Sequence, residues 1–199
     1  MRGIGMTRLA ILRHGHTDWN RAGRIQGRTD IPLDEAAREQ LAPLSLPAPW
    51  NHANLVSSPL SRAVETAELV TGRTPVEVPA LIEMDWGRWE GQRGLELRAD
   101  PASGFRDIEE WGWGYAPPGG ESPGDLRMRL EPWAKGLRAD TVAVCHIGVM
   151  RVFMAIATGW DFAGTAPFQI KRNRLYILDI SANGWHAAPD PVRLVQKSR

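Results

Sequence analysis

Two apolar runs in this chain each lead into a histidine. Leu9-Ala10-Ile11-Leu12 passes through Arg13 to His14, and Thr141-Val142-Ala143-Val144-Cys145 stops at His146. A third run, Ala53-Asn54-Leu55-Val56-Ser57, opens into Ser58-Pro59-Leu60-Ser61-Arg62. Two guanidinium groups and two imidazoles delivered to one rim would cage an oxyanion, because arginine forks match phosphate oxygens. Phosphoryl transfer passes through a loose transition state with its charge on the equatorial oxygens, so the protein's work is positioning and electrostatic stabilisation. On this reading neutral His14 attacks phosphorus to give a phosphohistidine, while Arg13, Arg62 and His146 hold the oxygens. The leaving alkoxide then needs a proton. Glu83 is the candidate donor, since it follows Leu81-Ile82 at the end of a short edge element and precedes Asp85-Trp86-Gly87-Arg88-Trp89, whose rings would raise its pKa. In a second half-reaction the same carboxylate would activate water. The scheme needs no metal and no cofactor.

The elements that must carry these groups read as alternating strands and helices. Apolar, partly β-branched runs that end at polar turns predict buried strands of a mainly parallel sheet, and such sheets bind ligands beyond the carboxyl ends of their strands. After the first strand a polar loop runs from Arg13 to about Pro32. A helix is predicted over Asp34 to Leu44, capped by Asp34 and stopped near Pro47. The strand at Leu55 is followed by a predicted helix from Pro59 to Val70, with Ser58 as N-cap and Pro59 at the first helical position. A short strand is predicted at Val76 to Val78. Residues 80–121 break the pattern, are rich in Gly and Trp, and read as a cap-like excursion over the carboxyl edge with helical stretches near Leu95 and Ile108. A helix over Asp125 to Leu137, introduced by Ser122 and Pro123, precedes the His146 strand, and a helix from Gly148 to Ala157 follows it. Arg174 to Ile180 and Val192 to Val195 read as strands, with Asn183-Gly184 as the turn between them.

Length and charge bound the function. At 199 residues, with no linker, repeat or low-complexity tract, the chain reads as one domain over 1–199. Lys and Arg number 24 against 23 acidic residues, so net charge directs the chain to neither nucleic acid nor an anionic membrane, and any anion site is local. One cysteine excludes an internal disulfide, and Cys145 reads as a buried strand residue. No apolar run reaches a membrane span, and Met1 to Met6 lacks a signal-peptide core, which together predict a cytoplasmic protein. Most of the nine tryptophans read as packing residues and the rest as pocket lining. A homodimer is left open.

The stretch LRHGHTDWN, from Leu12 to Asn20, resembles the signature of the histidine phosphatase superfamily, also called phosphoglycerate mutase-like. Further matching segments follow in the family's order: Arg24-Ile25-Gln26-Gly27, Asp30-Ile31-Pro32-Leu33, Ser57 to Ala67, Glu83 with Gly87-Arg88-Trp89-Glu90-Gly91, Gly119-Gly120-Glu121-Ser122, and Cys145-His146-Ile147-Gly148. The resemblance spans roughly residues 7 to 180. It implies a single-domain three-layer α/β/α sandwich with a mostly parallel central sheet. It also implies a phosphohistidine at His14, phosphate ligands Arg13, Arg62 and His146, proton donor Glu83, and supporting contacts from Thr17, Asn20, Gln26 and Gly27. The chain departs from the pattern at His16, where many members carry an acidic residue, and at Ile147, where many carry a second glycine. A metal site built from His14, His16 and His146 with Asp85 or Glu83 conflicts with the two arginines, which repel a cation.

Within that resemblance, hydrolysis of a small phosphate ester ranks ahead of phosphoglycerate mutase-type transfer. Resembling mutases carry paired arginines before a proline run to grip a carboxylate. Here the stretch before Pro117-Pro118 reads Trp111-Gly112-Trp113-Gly114-Tyr115-Ala116, an aromatic cover that offers no charge partner but accommodates a bulky leaving group. Leu81 to Gly91 resembles the phosphatase branch, including broad-specificity and α-ribazole phosphatases. The alternative from another class is a non-catalytic phospho-ligand-binding module, whose mark would be loss of the nucleophile or of an arginine. Arg21, Arg24, Arg28 and Arg88 either extend the positive field toward polyanionic esters or are solvated surface residues.

Overall fold

The computed structural model describes residues 6–197; of the stretch read for a leader, Met1 to Met6, all but Met6 lies outside the described residues. In chain order the elements are β1 (Thr7–Arg13), α1 (Asp18–Arg21), α2 (Glu35–Leu41), β2 (Leu44–Ser45), β3 (Asn54–Ser57), α3 (Ser61–Thr71) and β4 (Val76–Glu77). They continue with α4 (Gly94–Ala99), α5 (Pro123–Lys135), β5 (Thr141–Cys145), α6 (Ile147–Thr158), β6 (Arg174–Ser181), β7 (Gly184–Ala187), β8 (Val192–Arg193) and β9 (Val195–Gln196). The central sheet runs β4-β3-β5-β1-β6-β7, with β8 also paired to β6. Its first four strands are mutually parallel, and β6 lies antiparallel to β1.

Both faces of this sheet are covered, as the apolar strands require. Leu9 and Ile11 of β1 join Ala143 and Cys145 of β5 in a core with Leu126 and Leu130 of α5 and Val149, Met150 and Phe153 of α6. The alternate residues Ala10, Leu12, Val142 and Val144 pack on Ala37 and Leu41 of α2 and Ala63, Ala67 and Val70 of α3. The strand period of two thus divides each run between two cores. The result is the expected three-layer α/β/α sandwich. Among the described residues no helix is long and apolar enough to cross a membrane.

Register decides where the chemistry emerges. Arg13 pairs with Cys145, and Ser57 with Val144, so β1, β3 and β5 finish level and release His14, Ser58 and His146 at one edge. The His14 and Ser58 amides extend the ladder to the Cys145 and Val144 carbonyls at 3.0 and 2.9 Å.

Several elements differ from expectation. The polar loop after β1 contains a helical turn, α1, closed by a capping box between Thr17 and Asn20. Helix α2 ends at Leu41 rather than Leu44, because Leu44 and Ser45 pair with β9. Ser58 is not an N-cap: α3 starts at Ser61, Leu60 supplies no side-chain cap, and the Asp30 carboxylate accepts the Ser61 amide at 2.9 Å. Ile108 lies in a turn, whereas the helix near Leu95 is present as α4. The turn at Asn183 leads into an unanticipated strand, β7, which hairpins onto β6. Beyond it, Val192 to Val195 splits between β8 and β9, on different partners.

Candidate active site

His14, Arg62, Glu83 and His146 meet at the released edge and are at most 4% exposed. Arg13 joins them as the last residue of β1. The two imidazoles lie with ring centroids 5.1 Å apart. His14 Nδ1 sits 2.6 Å from the Gly15 carbonyl, which can only accept, so the ring proton is on Nδ1 and Nε2 is bare. Burial, reinforced by His146, Arg62 and Arg13, holds the His14 pKa well below the ordinary histidine value. The ring is therefore neutral, as a nucleophile toward phosphorus must be.

The groups around it are only half used by the protein. Arg62 donates through Nη1 to Thr29 O at 3.0 Å and through Nη2 to Gly27 O at 2.6 Å, leaving its buried Nε without a partner. Arg13 Nε and His146 Nδ1 are also buried and unpartnered. His146 Nε2 lies 2.7 Å from Ser58 Oγ, which in turn accepts the Leu60 amide. If the serine hydroxyl donates to Nε2, the ring proton occupies the open Nδ1. Among the described residues, two guanidinium N–H groups and one imidazole nitrogen from three chain passages are thus buried without partners. Buried donors are rarely left so unless a ligand completes them.

Glu83 follows a 3-10 turn at Pro79–Leu81 rather than an edge strand. Its Oε1 accepts the Met84 amide at 2.8 Å and its Oε2 the Gly148 amide at 3.1 Å. Burial raises its pKa above the ordinary carboxylate value, opposed by those two amides and by Arg62 and Arg13. The direction is the one anticipated from sequence, and its cause is burial away from water. Arg129 of α5 clamps this segment by donating to the Ile82 and Glu83 carbonyls at 2.8 and 3.1 Å.

Thr17, Asn20 and Gln26 form a supporting cluster. The Thr17 hydroxyl and the Asn20 amide both donate to Gln26 Oε1, at 2.9 and 3.0 Å, which leaves the buried Gln26 Nε2 free as a donor. Gly27 contributes its carbonyl to Arg62, and a Cβ there would lie 2.8 Å from Glu90 and 2.9 Å from Trp86.

A histidine phosphatase superfamily (branch 1) model matches residues 9–188. The chain belongs to that superfamily. Among curated relatives of this histidine phosphatase is the glucosyl-3-phosphoglycerate phosphatase of Mycolicibacterium vanbaalenii, 34% identical over 171 residues, covering 76% of this chain and 74% of that one. The metal-independent phosphoserine phosphatase of Arabidopsis thaliana is 33% identical over 177 residues, covering 80% and 72%. The crystal structure of a phosphoglycerate mutase from Thermus thermophilus superposes with TM-score 0.68 at 30% identity, covering 96% and 100%. Membership and these relatives make the chain a histidine-type phosphatase.

Beside the cage lies a cleft of about 540 Å³ that shares Arg13 with it. The excursion supplies one wall with Trp86, Phe105 and Trp111: Trp86 packs on Trp111, and Trp111 and Phe105 pack on Trp89. Sequence reasoning missed Arg151 of α6 and Arg172, which also line this cleft. Of the four arginines left open, Arg24 lines the cleft and holds the Gly91 carbonyl, Arg21 pairs with Asp34, Arg28 with Asp85 and Glu121, and Arg88 is exposed. His16 lines the cleft too, where burial and Arg172 lower its pKa. Cys145 is buried, and burial pushes its thiol up, away from reactivity.

Proposed function

We propose that the protein hydrolyses small phosphate monoesters in two steps, with His14 Nε2 as nucleophile and Glu83 as general acid and then base. The observation that carries this reading is the meeting of a bare, neutral His14 Nε2 with the unpartnered Arg13 Nε, Arg62 Nε and His146 Nδ1. In the first step His14 forms a bond to phosphorus as the ester oxygen departs, and the guanidinium and imidazole N–H groups receive the phosphoryl oxygens. The departing oxygen takes the Glu83 proton. Burial favours the protonated carboxyl group, the form that has a proton to give. In the second step the Glu83 carboxylate takes a proton from water, which attacks the phosphohistidine and releases inorganic phosphate. Thr17, Asn20, Gln26 and Gly27 act behind this set: Gly27 O accepts from Arg62 Nη2, while Thr17 and Asn20 hold the Gln26 side chain beside it.

The test is a rapid quench with labelled p-nitrophenyl phosphate. An acid-labile, alkali-stable phosphoryl adduct is expected on the wild type and absent from His14→Ala, whose turnover falls by about 10³-fold or more. Full turnover by His14→Ala overturns the reading. The likeness to the phosphoglycerate mutase structure favours a second reading, phosphoryl transfer between acceptors. Conversion of phosphoglycerates without phosphate release would establish it over hydrolysis.

A further inference from the structure

The cleft next to the cage carries more positive charge than its own residues neutralise. Arg13, Arg24, Arg106, Arg151 and Arg172 line it against Asp107 and Glu109. Asp107 is engaged by Arg98, so it is not free to offset them. Arg24 and Arg106 are occupied in structure, one on the Gly91 carbonyl and one over the Tyr115 ring at 4.4 Å. Arg151 differs: no hydrogen bond or ion pair among the described residues holds its guanidinium, and Glu109 and Glu83 act on it only through space. It stands on α6 five residues past His146, so helix and strand together aim it at the region beside the nucleophile. Arg172 donates Nε to the His14 carbonyl at 3.0 Å and Nη2 to Asn20 Oδ1 at 2.8 Å, with no partner for Nη1 among the described residues. Burial and the neighbouring Arg13 and Arg21 draw its pKa down to about 9, and burial with Arg151 among its neighbours draws Arg13 to about 10. Buried cations are ordinarily paired. Here three half-buried guanidinium groups adjoin one cavity, and the phosphoryl group needs Arg13 alone of the three.

We infer that the cleft is a subsite for a second oxyanion, a carboxylate or a phosphate, carried on the leaving group of the ester and gripped by Arg151 and Arg172. This rests on the phosphatase reading above and adds the class of substrate. The charge partner absent from the Trp111 to Ala116 stretch is thus supplied by α6 and by the loop before β6. Trp86, whose buried indole N–H has no partner, forms the wall across which the body of the leaving group would lie. A guanidinium fork and an aromatic wall together select an anion joined to phosphorus through a short organic spacer.

The experiment compares kcat/KM for matched esters. 3-Phosphooxypropanoate is set against 3-hydroxypropyl phosphate for the carboxylate, and propane-1,3-diol bisphosphate against the same alcohol ester for the phosphate, with p-nitrophenyl phosphate as uncharged reference. The wild type is expected to prefer one anionic ester by about 10- to 100-fold, the size of a charge-assisted hydrogen bond, and the preferred arm names the anion. Arg151→Gln should erase that ratio mainly through KM, and Arg151→Lys should keep part of it. Equal turnover of anionic and neutral esters by the wild type overturns the subsite while leaving the phosphatase intact. So does an Arg151→Gln that lowers all esters alike, which marks a structural role. Phosphate release from none of the esters, p-nitrophenyl phosphate included, overturns the phosphatase reading and the subsite with it.

Discussion

The phosphate cage and the cleft share Arg13 and are otherwise built in opposite ways. The cage is dry, and its groups leave level strand ends or the first turn of a helix, so sheet register sets their positions. The cleft is wider, and the irregular excursion supplies much of its wall, where Trp86 packs on Trp111 and both Trp111 and Tyr115 pack on Trp89. A reacting phosphoryl group tolerates little misplacement, whereas a leaving group varies with the substrate. Regular elements therefore hold the phosphoryl group, and the excursion supplies Glu83 and the wall beside the leaving group. If that division is right, cage variants change kcat for every ester, and cleft variants change the ranking of esters.

Glu83→Gln should have the largest effect short of removing the nucleophile. Loss of a general acid lowers rate by about 10²- to 10⁴-fold for an alkyl ester whose leaving oxygen needs the proton. p-Nitrophenyl phosphate, with a leaving group stable as an anion, should lose far less in its first step. The amide also offers one acceptor where the carboxylate offers two, so one of the Met84 and Gly148 N–H groups faces a donor. That costs about 1–3 kcal/mol of stability. Parallel measurements of kcat/KM on both esters, which report the first step, and of Tm check the two parts, and equal losses in kcat/KM on both esters would remove Glu83 from the acid role.

Gly148→Ala reaches the same carboxylate without touching its chemistry. A Cβ on Gly148 would lie 2.5 Å from Glu83 Oε1 and 3.3 Å from Met84 Cβ, so the carboxyl group must move. The expected loss is about 10-fold in kcat for alkyl esters, in keeping with small misplacements of catalytic groups. Binding of inorganic phosphate should change little. A variant with wild-type kcat would show that the position of Glu83 is not critical.

The pH profile follows from the same two groups. His14 is held well below the ordinary histidine value, so its ring stays neutral as pH falls through 6.5 and the acid limb lies lower than an unperturbed histidine would place it. Glu83 is raised, and as an acid it works only when protonated, so kcat/KM for alkyl esters falls as pH rises through its pKa. The alkaline limb should flatten for p-nitrophenyl phosphate and in Glu83→Gln. An acid limb centred at or above 6.5 would contradict the neutral, desolvated ring.

The contrast between cage and cleft also explains what could be read from the chain alone. Arg13, His14, Arg62 and His146 announce themselves because each ends a strand or opens a helix, and strand ends are visible as apolar runs meeting polar turns. The two-core sandwich was legible for the same reason, through alternation in β1 and β5. Arg151 sits inside a strongly apolar helix, where periodicity gives a face but not the neighbour it meets. Arg172 belongs to the irregular stretch between α6 and β6 and reaches His14 and Asn20 across more than 150 residues of chain, a contact no local pattern encodes. Ser58 misled because a serine before a proline is a strong cap signal. Tertiary demand from His146 took its hydroxyl, and Asp30 served the helix instead.

Ser58→Ala gives the smallest effect and the finest test of the division. The substitution removes the hydroxyl 2.7 Å from His146 Nε2 and leaves that ring nitrogen buried without a partner. Nothing then favours the tautomer with its proton on Nδ1, the atom we propose for the phosphoryl oxygens. A net hydrogen bond is worth about 0.5–1.5 kcal/mol, so kcat/KM should fall by about 2- to 10-fold. The fall should be the same for charged and uncharged leaving groups, because His146 belongs to the cage and never meets the second anion. Nitrogen NMR of His146 should show proton density on Nδ1 in the wild type and a mixture in the variant. If Ser58→Ala instead alters the ratio between anionic and neutral esters, the cage and the cleft are one coupled site, and Arg13, the arginine common to both, is where the coupling must pass.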